Sequence, residues 1–318
     1  MKLLWVALAG LSVALLAGGS WAARSYRREM RTARDRLAAG GTVIDTACGP
    51  IEYAEHGRGP PVLMIHGAGG GYDQGLMLGE TLLGEGYRII APSRFGYLNE
   101  LPADRSLNAQ ADAFVCLLDA LAIERAIVVG FSAGGPSGLT FAHRHPERTT
   151  VLILGCAVSF TDGRGQVDAR RVQRINRIIG NDFVYWALSR FAWRQLGALF
   201  GVTRKLQEKL THEELDTLRT IIEVMSPLSL RLDGIFNDQA QHMPRSYPLN
   251  EISVPTLVFH AEDDTLVPPD HARHSAGGIH GAELIMVPDG GHFLMVQHAM
   301  IRAAIRDWLS DRGLPPES

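Results

Sequence analysis

The pentapeptide Gly130-Phe131-Ser132-Ala133-Gly134 constrains the fold more than any other part of the sequence. An apolar run at 126–129 precedes it and a helical pattern follows it, so Ser132 stands at a strand-to-helix turn. Glycine two residues before and after the serine lets the strand and helix approach closely, while the serine takes a strained backbone conformation. Such a turn exposes the hydroxyl at the positive end of a helix, beside a backbone N–H that can bind an oxyanion. The pattern predicts that Ser132 is a nucleophile.

A nucleophilic serine needs a base, and a carboxylate that orients the base. The strand-like run 256–260 is followed by acidic residues at 262–264, and the strand-like run 284–287 is followed by His292. Both candidates come just past the end of a predicted parallel strand, where ligands bind in open α/β sheets. The order serine, acid, histidine along the chain is typical of one class of triad.

In these features the chain resembles the α/β-hydrolase superfamily, in its lidded serine-hydrolase branch. The segment 61–70, Pro-Val-Leu-Met-Ile-His-Gly-Ala-Gly-Gly, is similar to the family's oxyanion strand and loop. The resemblance covers roughly residues 42 to 310. It implies an α/β fold with a mostly parallel, doubly wound, eight-stranded sheet and a helical cap.

The resemblance also implies a catalytic triad. Ser132 would attack the substrate, and His292 would take its proton and return it to the leaving group. Asp264 would hold the imidazole in the useful tautomer and stabilise its charged form.

The acid has alternatives. Asp264 is preferred because it stands four residues before Pro268, as the family acid usually does. Glu262 and Asp263 are adjacent, and a different geometry at the strand end would favour either. Asp162 is a more remote candidate.

The resemblance places the oxyanion donors at the backbone N–H groups of Ala68 and Ala133. Gly67 and Gly69 would let the oxyanion loop come close to the substrate, and Phe131 would contact it. The histidine pairs at 143 and 145 and at 271 and 274 have no clear third ligand, so we expect no metal site.

The turn after the predicted fourth strand departs from the family pattern. Family members often carry Asp-Arg-x-Gly there, whereas this chain has Ser93-Arg94-Phe95-Gly96. The salt bridge usually attributed to that aspartate is therefore an open question here.

Periodicity supports the α/β interpretation. Two strands close enough to form a hairpin come first, and later strands alternate with helices, which predicts an antiparallel start followed by a parallel sheet. The predicted strands are 42–46, 51–55, 62–66, 87–92, 127–129, 151–154, 256–260 and 284–287, and the predicted helices are about 74–83, 107–121, 137–143 and 300–309.

The alternation stops between about 159 and 248, which predicts a helical cap as part of a hydrolase domain at 42–318. Aromatic side chains at 183–200 would either line an apolar pocket or fix the cap to the sheet. Ten basic residues at 164–209 would form a solvated face, or else face anionic lipid or an anionic substrate.

The N-terminus reads as a transmembrane anchor at 1–23, long and apolar enough to span a bilayer, with a cleaved signal peptide as the alternative. A basic juxtamembrane linker at 24–41 follows and predicts a cytoplasmic catalytic domain. Cleavage would instead give a secreted or periplasmic protein.

Composition excludes several classes. A net charge of -3 gives no reason to expect nucleic acid as a partner. The three cysteines are widely spaced and predict small buried side chains rather than disulfides or a zinc site. No Gly-x-Gly-x-x-Gly follows the first strand, so we expect no dinucleotide and no other cofactor.

The sequence therefore predicts a serine hydrolase that cleaves an ester, thioester or amide of a small, apolar substrate. Carbon–carbon bond hydrolysis and acyl transfer by the same triad are alternatives. A noncatalytic binding module is the alternative from a different class, and a complete triad argues against it.

Overall fold

The computed structural model describes residues 2–160, 174, 177–241 and 246–317, with side chains from residue 18 onward. The chain divides into two compact units, Met1–Ala39 and Gly40–Ser318.

The first unit consists of one helix, α1, Lys2–Gly40. The basic linker at 24–41 stays a prediction, and the helix runs through it to Gly40. Arginine, alanine and leucine, all strong helix formers, dominate this segment, and the Ser25 hydroxyl donates to Glu29 one turn later at 3.0 Å.

The transmembrane anchor gains no support. Among the residues searched, those that the structure describes, no helix has the length and apolar character needed to cross a membrane. The side chains of residues 1–17, on which the anchor prediction rests, lie outside the described part.

The second unit is built on one sheet, as predicted, and among the described residues it has eight strands. The strands are β1 Thr42–Thr46, β2 Gly49–His56, β3 Pro61–Ile65, β4 Arg88–Pro92, β5 Ala126–Phe131, β6 Thr149–Gly155, β7 Thr256–Ala261 and β8 Glu283–Val287. Their order is β1-β2-β4-β3-β5-β6-β7-β8. β2 pairs antiparallel with β1 and β4, and every other pair is parallel. The antiparallel start and the parallel remainder are confirmed.

Helices join the strands. Those packed along the sheet are α2 Tyr72–Leu83, α3 Leu107–Ala120 and α4 Gly135–Arg144, and, after the insertion described below, α10 Asp270–Gly278 and α11 His298–Ser310. Helix α10 was not predicted, because its histidines, glycines and serine give no apolar repeat.

The sheet is buried on both faces, which explains its continuous apolar runs. On β5, Val128 packs into the core of one face, while Ile127 and Val129 pack into the core of the other. Because all β5 residues are buried, the turn that follows at Ser132 has a rigid base.

Helices α5 Asp182–Phe191, α6 Trp193–Leu199, α7 Arg204–Gln207, α8 His212–Val224 and α9 Leu232–Gln241 lie within the predicted insertion, and we call them the cap helices. They share a core that includes Tyr185, Leu218 and Ile222. The cap limits of 159 and 248 stay a prediction, and most of the arginine-rich stretch before 178 lies outside the described residues.

The cysteine interpretation is wrong for one pair. Cys48, in the turn between β1 and β2, forms a disulfide with Cys116 on α3. Sixty-eight residues separate them, so only the packing of α3 against β1 reveals their proximity. Cys156 is free and buried, as expected.

Candidate active site

The structure brings Ser132, His292 and Asp264 together at the carboxyl ends of β5, β8 and β7. His292 Nε2 lies 2.8 Å from Ser132 Oγ, and His292 Nδ1 lies 2.8 Å from Asp264 Oδ2. With its proton on Nδ1, the imidazole donates to Asp264 and accepts from the serine hydroxyl. All three side chains are buried, so water competes little for these hydrogen bonds.

The Ser132 turn has the strained geometry that its flanking glycines predict. Ser132 has a φ of 53°, in the left-handed region, and begins a 3₁₀ turn that leads into α4. A Cβ at Gly134 would lie 2.5 Å from the Ile65 carbonyl oxygen, so no larger residue fits there. The strained turn presents Ser132 Oγ to His292 at the amino end of a helix.

Asp264 accepts three hydrogen bonds, and a second histidine lies close to its carboxylate. Its Oδ1 accepts from the backbone N–H groups of Leu266 and Val267, at 2.8 and 3.0 Å. Its Oδ2 faces His292, and it also lies 3.2 Å from Nε2 of the buried His260. Burial opposes the charge of Asp264, but the N–H groups of His260 and His292 that face its carboxylate outweigh burial and hold its pKa well below the ordinary value. Asp264 is therefore charged at neutral pH.

The other acid candidates lie elsewhere. Glu262 is exposed and pairs with Arg273 at 2.6 Å. Asp263 accepts the backbone N–H of Gly291 at 2.8 Å, so it holds the loop that carries the histidine rather than the histidine ring. Asp162 lies outside the described residues.

The loop that was predicted to bind the oxyanion, and that we continue to call the oxyanion loop, lies against Ser132. A Cβ on Gly67 would come within 3.0 Å of Ser132 Cβ, which explains the need for glycine at this close approach. Gln74 Oε1 accepts the Gly67 N–H at 3.0 Å. Ala68 lines the cavity beside Ser132, while Ala133 follows Ser132 at the start of the 3₁₀ turn.

A buried ionic network lies behind this loop. Arg94 is fully buried and forms two hydrogen bonds to Asp238 of cap helix α9, at 2.5 and 2.7 Å. Tyr97 donates to the same carboxylate at 2.5 Å. Burial opposes the charge of Arg94, but Asp238 outweighs it and raises the Arg94 pKa. Burial and the charge of Arg94 hold the pKa of His66 well below its usual range, so His66 is neutral.

A second bridge runs the opposite way. Arg231, fully buried at the end of the 3₁₀ turn before α9, forms two hydrogen bonds to Asp73 of α2, at 3.0 and 2.8 Å. In one bridge the sheet side supplies the arginine, and in the other the cap side does. We call the pair the crossed bridges.

Ser93 has its own partners, which settles the open question about this turn. Its hydroxyl donates to Glu52 at 2.7 Å and accepts the Tyr72 N–H at 3.2 Å. Arg94 therefore pairs with the cap rather than with the residue before it.

The site opens into a cavity of about 370 Å³ between the oxyanion loop and the cap helices. The predicted substrate-binding residues Gly67, Gly69 and Phe131 line it, and among the predicted cap aromatics so does Phe200. The remaining walls are mostly aliphatic: Met77, Leu78, Ile179, Leu199, Ile221, Met225, Leu228, Leu232, Ile235 and Leu266. Among the described lining residues there is no lysine, arginine, aspartate or glutamate.

One group of described residues has the composition of a metal site. Ligand-type atoms of Cys156, His260 and Asp264 lie within 4.8 Å of one another. Both oxygens of Asp264 already accept hydrogen bonds, and burial raises the pKa of the Cys156 thiol well above its usual value. A thiol that resists ionisation is a poor ligand, so we assign no metal here.

No sequence pattern indicates His260, Gln74 or the crossed bridges. His260 stands four residues before Asp264, and β7 ends between them. The spacing therefore does not indicate that the two side chains meet. Arg94 and Asp238 are 144 residues apart, so no local pattern connects them.

Known proteins that resemble this chain share its fold and include hydrolases. The chain is 30% identical over 273 residues to the 2-hydroxymuconate semialdehyde hydrolase of Pseudomonas sp. strain CF600, covering 81% of this chain and 89% of that protein. It is 30% identical to the 2-hydroxy-6-oxo-6-phenylhexa-2,4-dienoate hydrolase of Comamonas testosteroni, covering 78% and 87%. An alpha/beta hydrolase fold protein from Nakamurella multipartita superposes with a TM-score of 0.67 at 28% identity, covering 84% and 97%. The sequence model of the alpha/beta hydrolase fold matches residues 60–299, more than half of the chain. The chain belongs to the alpha/beta hydrolase fold family and is an enzyme of the hydrolase class.

Proposed function

We propose that this enzyme is a serine hydrolase that cleaves uncharged esters, thioesters or amides with an apolar acyl group. The observation that carries the proposal is the hydrogen-bonded series Ser132–His292–Asp264, which opens into an aliphatic cavity. A substrate seated there needs no cofactor, because the serine, the base and the charged acid are all in hydrogen-bond contact.

In this mechanism Ser132 Oγ attacks the carbonyl carbon while His292 Nε2 takes the hydroxyl proton. Asp264 keeps the other proton on Nδ1 and stabilises the imidazolium. The carbonyl oxygen becomes an oxyanion and accepts hydrogen bonds from the N–H groups of Ala68 and Ala133. His292 then gives its proton to the leaving group as the bond to that group breaks. Water, activated by the same histidine, hydrolyses the acyl-enzyme and regenerates the serine.

Carbon–carbon bond hydrolysis is the second candidate, and the names of the two bacterial relatives favour it. The Comamonas relative is named for a dienoate, which carries a carboxylate. The described cavity lining offers no cation for such a group, and the nearby Arg94 and Arg231 are each paired with an aspartate. An unpaired carboxylate in an apolar cavity is costly, so the cavity favours an uncharged substrate.

A matched set of activated esters tests the substrate class. We expect kcat/KM for p-nitrophenyl hexanoate to exceed that for mono-p-nitrophenyl adipate by about 100-fold or more, because the free carboxylate of the adipate loses its hydration without gaining a cation. The methyl p-nitrophenyl diester of adipate is the control, and it should recover most of the loss. Initial rates of p-nitrophenol release measure all three.

Equal rates for the charged and capped adipates would contradict the uncharged-substrate proposal. Turnover of 2-hydroxy-6-oxo-6-phenylhexa-2,4-dienoate can be measured as the loss of its absorbance. If this turnover is faster than that of every ester, the carbon–carbon alternative is established.

The compartment is a separate proposal. The arginines after residue 23 predict a cytoplasmic catalytic unit, whereas disulfides are typical of oxidising compartments. We propose that the Cys48–Cys116 disulfide marks a unit that folds outside the cytoplasm, in agreement with the secreted or periplasmic alternative.

Thiol counting in the host cell tests the compartment. In acid-quenched, denatured full-length protein, we expect a maleimide polymer to label one of the three cysteines, Cys156, and all three after reduction. Three labelled thiols before reduction would restore the cytoplasmic prediction. The mass of the mature chain and its retention after a carbonate wash would distinguish a cleaved signal from an anchor.

A further inference from the structure

We propose that Asp238 of cap helix α9 is a positioning residue for the oxyanion hole. Through Arg94 and Tyr97 it fixes the peptide unit whose N–H, that of Ala68, faces the substrate. The inference rests on the proposed function, since it assigns that N–H a role in stabilising the oxyanion.

One peptide plane connects Arg94 to the proposed oxyanion donor. The Gly67 carbonyl and the Ala68 N–H belong to the same planar, trans unit, so they point in opposite directions. The Gly67 oxygen accepts hydrogen bonds from His66 Nδ1 at 2.7 Å, from Arg94 Nη2 at 3.3 Å and from the Gly70 N–H at 3.3 Å. Fixing the oxygen on one side therefore fixes the direction of the N–H on the other. A cationic donor on the oxygen also polarises the unit and strengthens the N–H as a donor.

Arg94 can occupy this position only with a counter-charge. Its guanidinium is fully buried, and Asp238 supplies the carboxylate through two hydrogen bonds. His66 accepts the backbone N–H of Arg94 at 3.1 Å, so the neutral state of His66 fits both of its roles.

Tyr97 extends the same control to the other side of Ala68. Its hydroxyl donates to Asp238, and its oxygen accepts the backbone N–H of Gly69. One cap carboxylate thus orients two groups that hold the residues flanking the proposed donor. Seating of the cap and alignment of the oxyanion hole are coupled through Asp238.

The test compares Asp238→Asn with Tyr97→Phe, and with Lys209→Met as a matched control. Lys209 also joins the cap side to the sheet side, through Asp289 at 2.9 Å, but its side chain is exposed and the pair makes none of the hydrogen bonds to Gly67 or Asp238. We expect Asp238→Asn to lower kcat by about 10- to 100-fold, less than the loss of a whole oxyanion donor, with KM within about threefold of wild type. Affinity for a trifluoromethyl ketone, whose serine adduct carries an oxyanion, should fall by the same factor as kcat. Tyr97→Phe should show the same pattern at smaller size, and Lys209→Met should change neither quantity.

Several outcomes would overturn the inference. One is wild-type kcat and ketone affinity in folded Asp238→Asn. Another is a raised KM with unchanged kcat, which would indicate a contact to the ground-state substrate. If Asp238→Asn fails to fold, Tyr97→Phe decides: unchanged kcat and ketone affinity would reject the role. A wild-type enzyme that neither cleaves esters nor reacts with a fluorophosphonate would reject the proposed function itself, which is a different result from an active wild type matched by its variants.

Discussion

Ser132→Ala is expected to lower turnover on the order of 10^4-fold or more and to abolish covalent labelling by a fluorophosphonate. The hydroxyl oxygen is the atom that would bond to the acyl carbon or to phosphorus, and alanine supplies no replacement. The substitution leaves the strained backbone at this position in place, so the melting temperature should change little or rise. Ester kinetics, and mass spectrometry of the labelled peptide, measure the two losses.

Denatured wild-type protein is the control for the labelling experiment. Wild-type protein denatured before labelling should not react, since an isolated serine hydroxyl is too weak a nucleophile. Full labelling of Ser132→Ala, or undiminished turnover, would reject Ser132 as the nucleophile.

Asp264→Asn is expected to reduce kcat by about 10^4-fold, as happens when the histidine is held in the wrong tautomer. The asparagine amide would donate to Nδ1, which places the imidazole proton on Nε2 and leaves no acceptor for the serine proton. The neighbouring Asp263→Asn is the matched control: it makes the same chemical change one residue earlier, where the carboxylate holds the Gly291 N–H. We expect that variant to lose about tenfold or less, because its effect reaches the histidine only through the loop.

Comparison of kcat for the two variants, with circular dichroism to verify folding, checks the assignment. A larger loss in Asp263→Asn than in Asp264→Asn would move the acid by one residue.

Much of the fold could be predicted because its strands are continuous apolar runs separated by recognisable turns. β1 was predicted with its observed bounds, and most other predicted strands fell short by one or two residues at an end. Some of the boundary errors occur where polar residues such as His56 and Thr149 continue the hydrogen-bonded ladder without a pattern to indicate it. The disulfide and α10 escaped prediction because neither leaves a local signal.

The proposed catalytic residues could be chosen from sequence because each follows a strand and belongs to a short motif. Nothing comparable indicates the residues that hold them. Arg94 reads as part of a turn and Asp238 as one polar position on a helix, and their pairing exists only after the cap helices fold over the sheet. Long-range ionic contacts of this kind lie beyond any pattern in a single sequence.

The crossed bridges have a consequence for engineering. Each side of the interface buries one arginine that depends on an aspartate from the other side. A cap grafted from a relative that lacks either partner would leave a charge without compensation beside the oxyanion loop, at a cost of about 3–5 kcal/mol per broken pair. We therefore expect that exchanging the cap helices alone would not transfer the substrate range of another enzyme. In a chimera, the retained sheet side supplies Asp73 and Arg94. The grafted cap would have to supply an arginine in place of Arg231 and an aspartate in place of Asp238, so that both bridges can form.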